Sequence, residues 1–245
     1  MTFFQAIFLG IIQGLTEFLP ISSSGHLVIF QKILGLKPPV LFDILVHVGT
    51  LGAILVFFNN RLKKFFTLQY LWYLGIGTVP AVISGLFFLG YLEIIFASTR
   101  LVAVSLLITA GLLFSTKIKT SRKKLKTLNA LRSFWVGVFQ GLAVLPGISR
   151  SGATISAGLL SGLSRKEAFE FSFILAIPAT LGALLTQIPG LNVSLNRGIL
   201  AGGAGMVTAG LVGWFCLKLL EKMLRSKKFW LFGFYCLIVG VALLI

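Results

Sequence analysis

Long apolar runs dominate the chain, and they fall into two kinds. Six unbroken blocks lie at roughly 40–58, 70–90, 99–116, 168–188, 198–217 and 229–245. Each is close to the length of about 20 residues that carries a helix across a bilayer core. Two further blocks, about 3–34 and 130–163, are interrupted midway by Pro, Gly and Ser, at "LPISSSG" and "LPGISRSG". Each arm of a broken block is too short to span. Non-helical backbone at membrane depth persists only where protein or a polar cavity covers it. The pattern predicts an all-α polytopic membrane protein with six transmembrane helices and two re-entrant helical hairpins. Two kinked spanning helices are the other reading of the broken blocks.

Composition excludes a soluble domain: 57% of the 245 residues are hydrophobic, 11% are charged, and the mean hydropathy is +0.99. An outer-membrane barrel would instead alternate in segments of about 10 residues. The 27 glycines suit closely packed membrane helices. Cys216 and Cys236 lie inside apolar blocks and read as small core residues. The first apolar run has no basic leader and no small-residue cleavage site, so no cleavable signal peptide is expected.

Charge supplies the expected orientation. With both broken blocks re-entrant, 17 of the 22 Lys and Arg fall on one face: Arg61, Lys63, Lys64, the run from Lys117 through Lys126, Arg132, Arg165, Lys166, Lys218, Lys222, Arg225, Lys227 and Lys228. The other face receives Lys32, Lys37, Arg100 and Arg197, and Arg150 is left inside. The positive-inside rule makes the rich face cytoplasmic and puts both termini outside. The net charge of +16 is mostly this bias. "KIKTSRKKLK" (117–126) is then a cytoplasmic loop beside anionic lipid, and no nucleic-acid partner is expected.

The broken blocks are copies of each other. Shifted by 127 residues, "GIIQGLTEFLPISSSGHL" (10–27) lies over "GVFQGLAVLPGISRSGAT" (137–154) without a gap. Gly10, Gln13, Gly14, Leu15, Ile21, Ser22, Ser24 and Gly25 recur as Gly137, Gln140, Gly141, Leu142, Ile148, Ser149, Ser151 and Gly152. Phe42-Asp43 falls on Phe169-Glu170. The expected organisation is two halves, about 1–127 and 128–245, in one integrated domain. Each half is a hairpin plus three spans, so the second is inverted, and the two hairpin tips approach each other between broken helices.

Where the copies differ, chemistry is expected. Glu17 faces Val144, Ser23 faces Arg150, and His26 faces Ala153. An arginine near the bilayer centre costs at least about 2.5 kcal/mol and needs an anionic partner. With Ser149, Ser151 and Thr154 around it at a helix start, Arg150 suits a phosphate; an ion pair with Glu17 or Glu170 is the structural alternative. Glu17 is one turn after Gln13 and offers a base, a metal ligand or an orienting carboxylate. Ser23 and His26, three apart, suit a nucleophile with an acid–base neighbour; they equally suit a cap and a buried hydrogen-bonder. Asp43 and His47, at i and i+4, line the cavity or bond between helices. Glu170 supports the second hairpin or balances Arg150.

"QGLTEFLPISSSGH" and "LPGISRSGAT", with "FDILVHVGTLGA" and "RKEAFEFSFILAIPATLGA", closely resemble the motifs of the bacterial undecaprenyl-diphosphate phosphatase family of the bacitracin-resistance type, along essentially the whole chain. That resemblance implies removal of the terminal phosphate of undecaprenyl diphosphate at the outer face of the bacterial cytoplasmic membrane, an inverted-repeat fold, a homodimer and dependence on a divalent cation such as Mg²⁺ or Ca²⁺. It implies Glu17 as the essential acid and metal-ligand candidate, Ser23 as the catalytic hydroxyl, His26 as the catalytic histidine and Arg150 as the phosphate binder. Ser149, Ser151, Thr154 and Ser22 are expected around the phosphate. Many relatives carry a glutamate where this chain has Gln13, which leaves Glu17 as the only acid of its motif. The attacking group is left open between Ser23, His26 and water. A transporter that flips polyprenyl phosphate is the rival from another class; a purely structural scaffold is argued against by the unpaired polar residues at depth.

Overall fold

The computed structural model describes residues 1–36, 40–91, 95, 98–119, 127–187 and 198–245. Lys37, Arg197 and stretch 120–126 of the basic loop lie outside the described residues. Among the described residues every regular element is helical. The first half contributes α1 (Phe3–Phe18), α2 (Ser23–Ile33), α3 (Val40–Phe58), α4 (Leu68–Phe88) and α5 (Thr99–Lys119). The second contributes α6 (Ala130–Leu142), α7 (Arg150–Ser161), α8 (Arg165–Gln187), α9 (Gly198–Arg225) and α10 (Phe232–Ala242).

The breaks have local causes. Pro20 pushes Leu19 into extended backbone (φ −66°, ψ 144°), which ends α1. Ser22 then caps α2 by accepting from the Gly25 amide at 3.4 Å. In the second copy α6 stops at Leu142, and Ser149 caps α7 by accepting from the Gly152 amide at 3.1 Å.

Among the described residues five helices are long and apolar enough to cross a membrane: Val40–Phe65, Leu68–Tyr91, Thr99–Lys117, Arg165–Gln187 and Leu200–Arg225. The chain is a multi-pass membrane protein. The sixth expected span is shorter than its apolar block: the helix from Phe229 ends at Ala242. The arms α1, α2, α6 and α7 hold 16, 11, 13 and 12 residues. At 1.5 Å per residue even the longest reaches about 24 Å, short of a hydrocarbon core of about 30 Å. Large apolar side chains such as Trp72, Phe87, Leu200 and Leu211 are exposed along the outside, where lipid would cover them.

Packing exchanges the halves. Helix α1 lies along α9, and its counterpart α6 lies along α4. Helix α3 packs on α9, α8 packs on α4, and α5 packs on α10. The repeated glycines make these contacts. A Cβ on Gly10 would sit 2.5 Å from the Gly205 carbonyl oxygen, and one on Gly14 would sit 2.7 Å from that of Ala209. On the other side, Gly137 abuts the Gly77 backbone, and a Cβ on Gly141 would sit 3.1 Å from the Pro80 carbonyl oxygen. Small residues thus let backbones touch where membrane helices gain dispersion energy by close approach.

Candidate active site

The two breaks meet. The Gly147 amide of the second donates to Ser22 Oγ of the first at 3.1 Å. The opposite half clamps each break. Thr109 on α5 donates to the Gly147 carbonyl (3.0 Å) and accepts from the Ser149 amide (3.1 Å). The 127-residue shift takes Thr109 to Cys236 and Gly147 to Pro20, and Cys236 Sγ donates to the Pro20 carbonyl at 3.4 Å. Gly147 is held at φ +95°, and a Cβ there would lie 2.5 Å from the Val102 carbonyl oxygen. Only glycine fits both the dihedral and the space. Ser22 has φ +71°, a conformation costing a non-glycine residue about 1–3 kcal/mol that surrounding bonds must hold.

At this junction four of the singled-out side chains converge. Glu17 Oε1 accepts from Arg150 Nη2 at 2.5 Å. Glu17 Oε2 accepts from Ser23 Oγ at 2.6 Å and from Gln13 Nε2 at 3.2 Å. The ion pair is nearly buried, with side-chain exposures of 17% for Arg150 and 11% for Glu17. Its floor is aromatic: the guanidinium carbon lies 5.8 Å from the Phe173 ring centre, and Phe18 meets Phe173 edge-on at 5.6 Å. Removing a charge from water is costly unless its hydrogen-bonding groups are matched. Here the match is incomplete: Arg150 Nη1 is buried with no partner among the described residues. So is Gln13 Oε1. One is a cationic donor and the other a carbonyl acceptor, on two side chains that both bond the Glu17 carboxylate.

The remaining expected residues are placed differently. His26 does not bond to Ser23, Glu17 or Arg150. Its Nδ1 faces the Ser22 carbonyl at 2.8 Å and its Nε2 faces the Tyr235 hydroxyl at 2.7 Å, on the last helix. Ser23 is the first residue of α2, and its hydroxyl turns back to α1, while the imidazole one turn on is captured by a backbone carbonyl. Glu170 is also away from Arg150. It accepts from Lys64 at 2.8 Å, with Arg61 at 3.6 Å, because α8 presents it to the basic turn after α3. Ser149 and Ser151 face each other at 3.3 Å, and Thr154 donates to the Arg150 carbonyl (2.7 Å) and meets Ser172 (2.6 Å). These hydroxyls and that of Ser22 build the junction. His47 Nδ1 faces the Asp43 carbonyl at 2.7 Å, and Asp43 Oδ1 is buried without a partner among the described residues. The pattern of apolar and polar positions offered no sign of Thr109, Phe173 or Tyr235, each an unremarked residue inside an apolar run.

A divalent cation fits beside this cluster only in part from the protein. Among the described residues no three His, Cys, Asp or Glu side chains group as a metal cage. Glu17 supplies one carboxylate and Gln13 Oε1 one unpartnered carbonyl; hard cations bound by one or two protein groups complete their shell with phosphate oxygens and water.

Fold and junction together define a polytopic membrane protein with a buried polar cluster where two broken helices meet. The chain matches the family described as Bacitracin resistance protein BacA over residues 6–242, and it belongs to that family. It is 43% identical to an undecaprenyl-diphosphatase of Korarchaeum cryptofilum, over 98% of this chain and 97% of that protein. It is 43% identical to one of Carboxydothermus hydrogenoformans, over 100% and 97%. It is 37% identical to one of Methanosphaera stadtmanae, over 98% and 96%.

Proposed function

We propose that the chain hydrolyses undecaprenyl diphosphate to undecaprenyl phosphate and phosphate at the junction of its two broken helices. One observation carries the choice of site: Nη1 of Arg150, buried and without a partner among the described residues, on the side chain that pairs with Glu17, itself bonded to Ser23. A guanidinium that spends one amino group on a carboxylate and keeps the other in reserve matches a phosphate oxygen. The lipid tail stays in the bilayer, and the diphosphate reaches the polar junction.

Ser23 Oγ attacks the terminal phosphorus. The Oγ–P bond forms, the bridging P–O bond breaks, and Glu17 passes the hydroxyl proton to the departing undecaprenyl phosphate. Water then attacks the phosphoserine; Glu17 takes its proton and returns one to Ser23 Oγ as phosphate leaves. The 2.6 Å Ser23–Glu17 hydrogen bond favours Ser23 over His26, whose ring nitrogens are both engaged elsewhere. Arg150 offsets the charge that gathers on the phosphoryl oxygens. Mg²⁺ or Ca²⁺, held by Glu17 and Gln13 Oε1 together with the substrate, would supply further charge neutralisation.

The same reading takes the two halves as inverted repeats, with α1–α2 and α6–α7 as re-entrant hairpins entering from opposite faces. The exchanged packing of α1 on α9 and α6 on α4 supports it. The basic loops then lie in the cytoplasm, and both termini and the opening of the site lie on the outer side of the cytoplasmic membrane.

Purified protein in detergent, given undecaprenyl diphosphate, is expected to release phosphate, and a chelator is expected to slow that release. No release from the detergent-solubilised protein, together with movement of polyprenyl phosphate across liposomes, would replace this reading with the flippase.

A further inference from the structure

Tyr235 and His26 form a pair that the fold does not require. The 127-residue shift takes His26 to Ala153 and Ile108 to Tyr235. The second break therefore stands without an imidazole, and α5 packs without a tyrosine. Their neighbours do follow the repeat: Cys236 holds Pro20 as Thr109 holds Gly147. The architecture is shared, and the pair is added to it on one side only.

The geometry orders the pair. A backbone carbonyl only accepts, so neutral His26 carries its proton on Nδ1 and donates it to Ser22 (2.8 Å). Nε2 is then the acceptor, and the Tyr235 hydroxyl donates to it at 2.7 Å. The two rings also stack, at 5.6 Å between centres and 19° between planes. His26 as a whole is 4% exposed, so water does not compete freely for Nε2. At the far end of this chain of bonds, the Ser22 carbonyl belongs to the residue with φ +71°, immediately before Ser23. Its conformation sets where α2 begins and hence where Ser23 Oγ stands relative to Glu17.

We propose that Tyr235 is a positioning residue: through the Nδ1–H tautomer of His26 it holds the strained carbonyl of Ser22, and so keeps Ser23 aligned on Glu17. The proposal rests on Ser23 as the attacking group, and its effect belongs to the chemical step rather than to substrate binding.

The chain has only two histidines, so imidazole ¹⁵N spectra of the full-length protein in detergent are assignable with a His47→Asn control. In the wild type His26 is expected as the Nδ1–H form with a hydrogen-bonded Nε2. Tyr235→Phe keeps the stacked ring and is expected to lose that signature. The same variant is expected to show about a three- to tenfold lower kcat at unchanged KM, the size of one lost neutral hydrogen bond. A proton found on Nε2 in the wild type, or an unchanged His26 spectrum in Tyr235→Phe, overturns the pair as described. A changed spectrum with wild-type kcat overturns the positioning role. The spectra are read without turnover, so failure of the Ser23 mechanism is distinguishable: it leaves the tautomer intact while Ser23→Ala stays active.

Discussion

Arg150→Lys is expected to keep the helical fold and to lose about 10²- to 10³-fold in the rate of phosphate release from undecaprenyl diphosphate, the range seen when one preorganised donor to a developing anion is removed. The substitution keeps the charge, so the effect isolates geometry. In the native junction the two terminal nitrogens of one planar group are placed differently. Nη2 fixes Glu17 at 2.5 Å, and Nη1 is buried with no partner among the described residues. The separation of the two nitrogens is set by covalent geometry, so holding the carboxylate places the free donor. A lysine is a compact point charge without that fork. Paired with Glu17 it leaves the phosphate without a directed donor; turned to the phosphate it leaves Glu17 buried and unpaired. The measurement is turnover at saturating substrate by purified variant and wild type, with circular dichroism to establish the fold. A rate within a few-fold of wild type would remove Arg150 from phosphate binding.

Ser23→Ala is expected to lose roughly 10³-fold or more in kcat, as when the attacking hydroxyl of a covalent mechanism is deleted. Binding should change little, because the hydroxyl's partner in the free protein is Glu17, not the substrate. The variant is also expected to fold: Ser23 is the first residue of α2, and the capping hydroxyl belongs to Ser22. Phosphate release and substrate affinity measured on the same preparation separate the outcomes. A fall in affinity with unchanged kcat would make Ser23 a binding group.

Part of the candidate site's geometry could be read from the repeat. Several residues matched between copies have structural roles: Gly10 and Gly137 admit a neighbouring backbone, and Ser22 and Ser149 cap the helices. Two unmatched residues, Glu17 and Arg150, are the ion pair itself. Periodicity and spacing describe one helix at a time, and that is where foresight ended. His26 is three residues from Ser23, yet its ring is directed by a carbonyl at a positive-φ residue and by a hydroxyl 209 residues away. Glu170 goes to Lys64 rather than Arg150 because the basic turn after α3 reaches it first. Cys236 is a buried core residue, as its apolar surroundings suggest, but its thiol also tethers the opposite break. The last apolar block is long enough to span, while its helix stops at Ala242. Each of these outcomes depends on how separate helices face one another, which no single segment encodes.

The central claim is that Ser23 takes the terminal phosphate before water does. The stereochemical course at phosphorus tests it directly, using undecaprenyl diphosphate whose terminal group is a chiral, isotope-labelled thiophosphate. Two in-line displacements, first by Ser23 Oγ and then by water, predict net retention in the released thiophosphate. Net inversion would mean a single attack by water and would contradict the account.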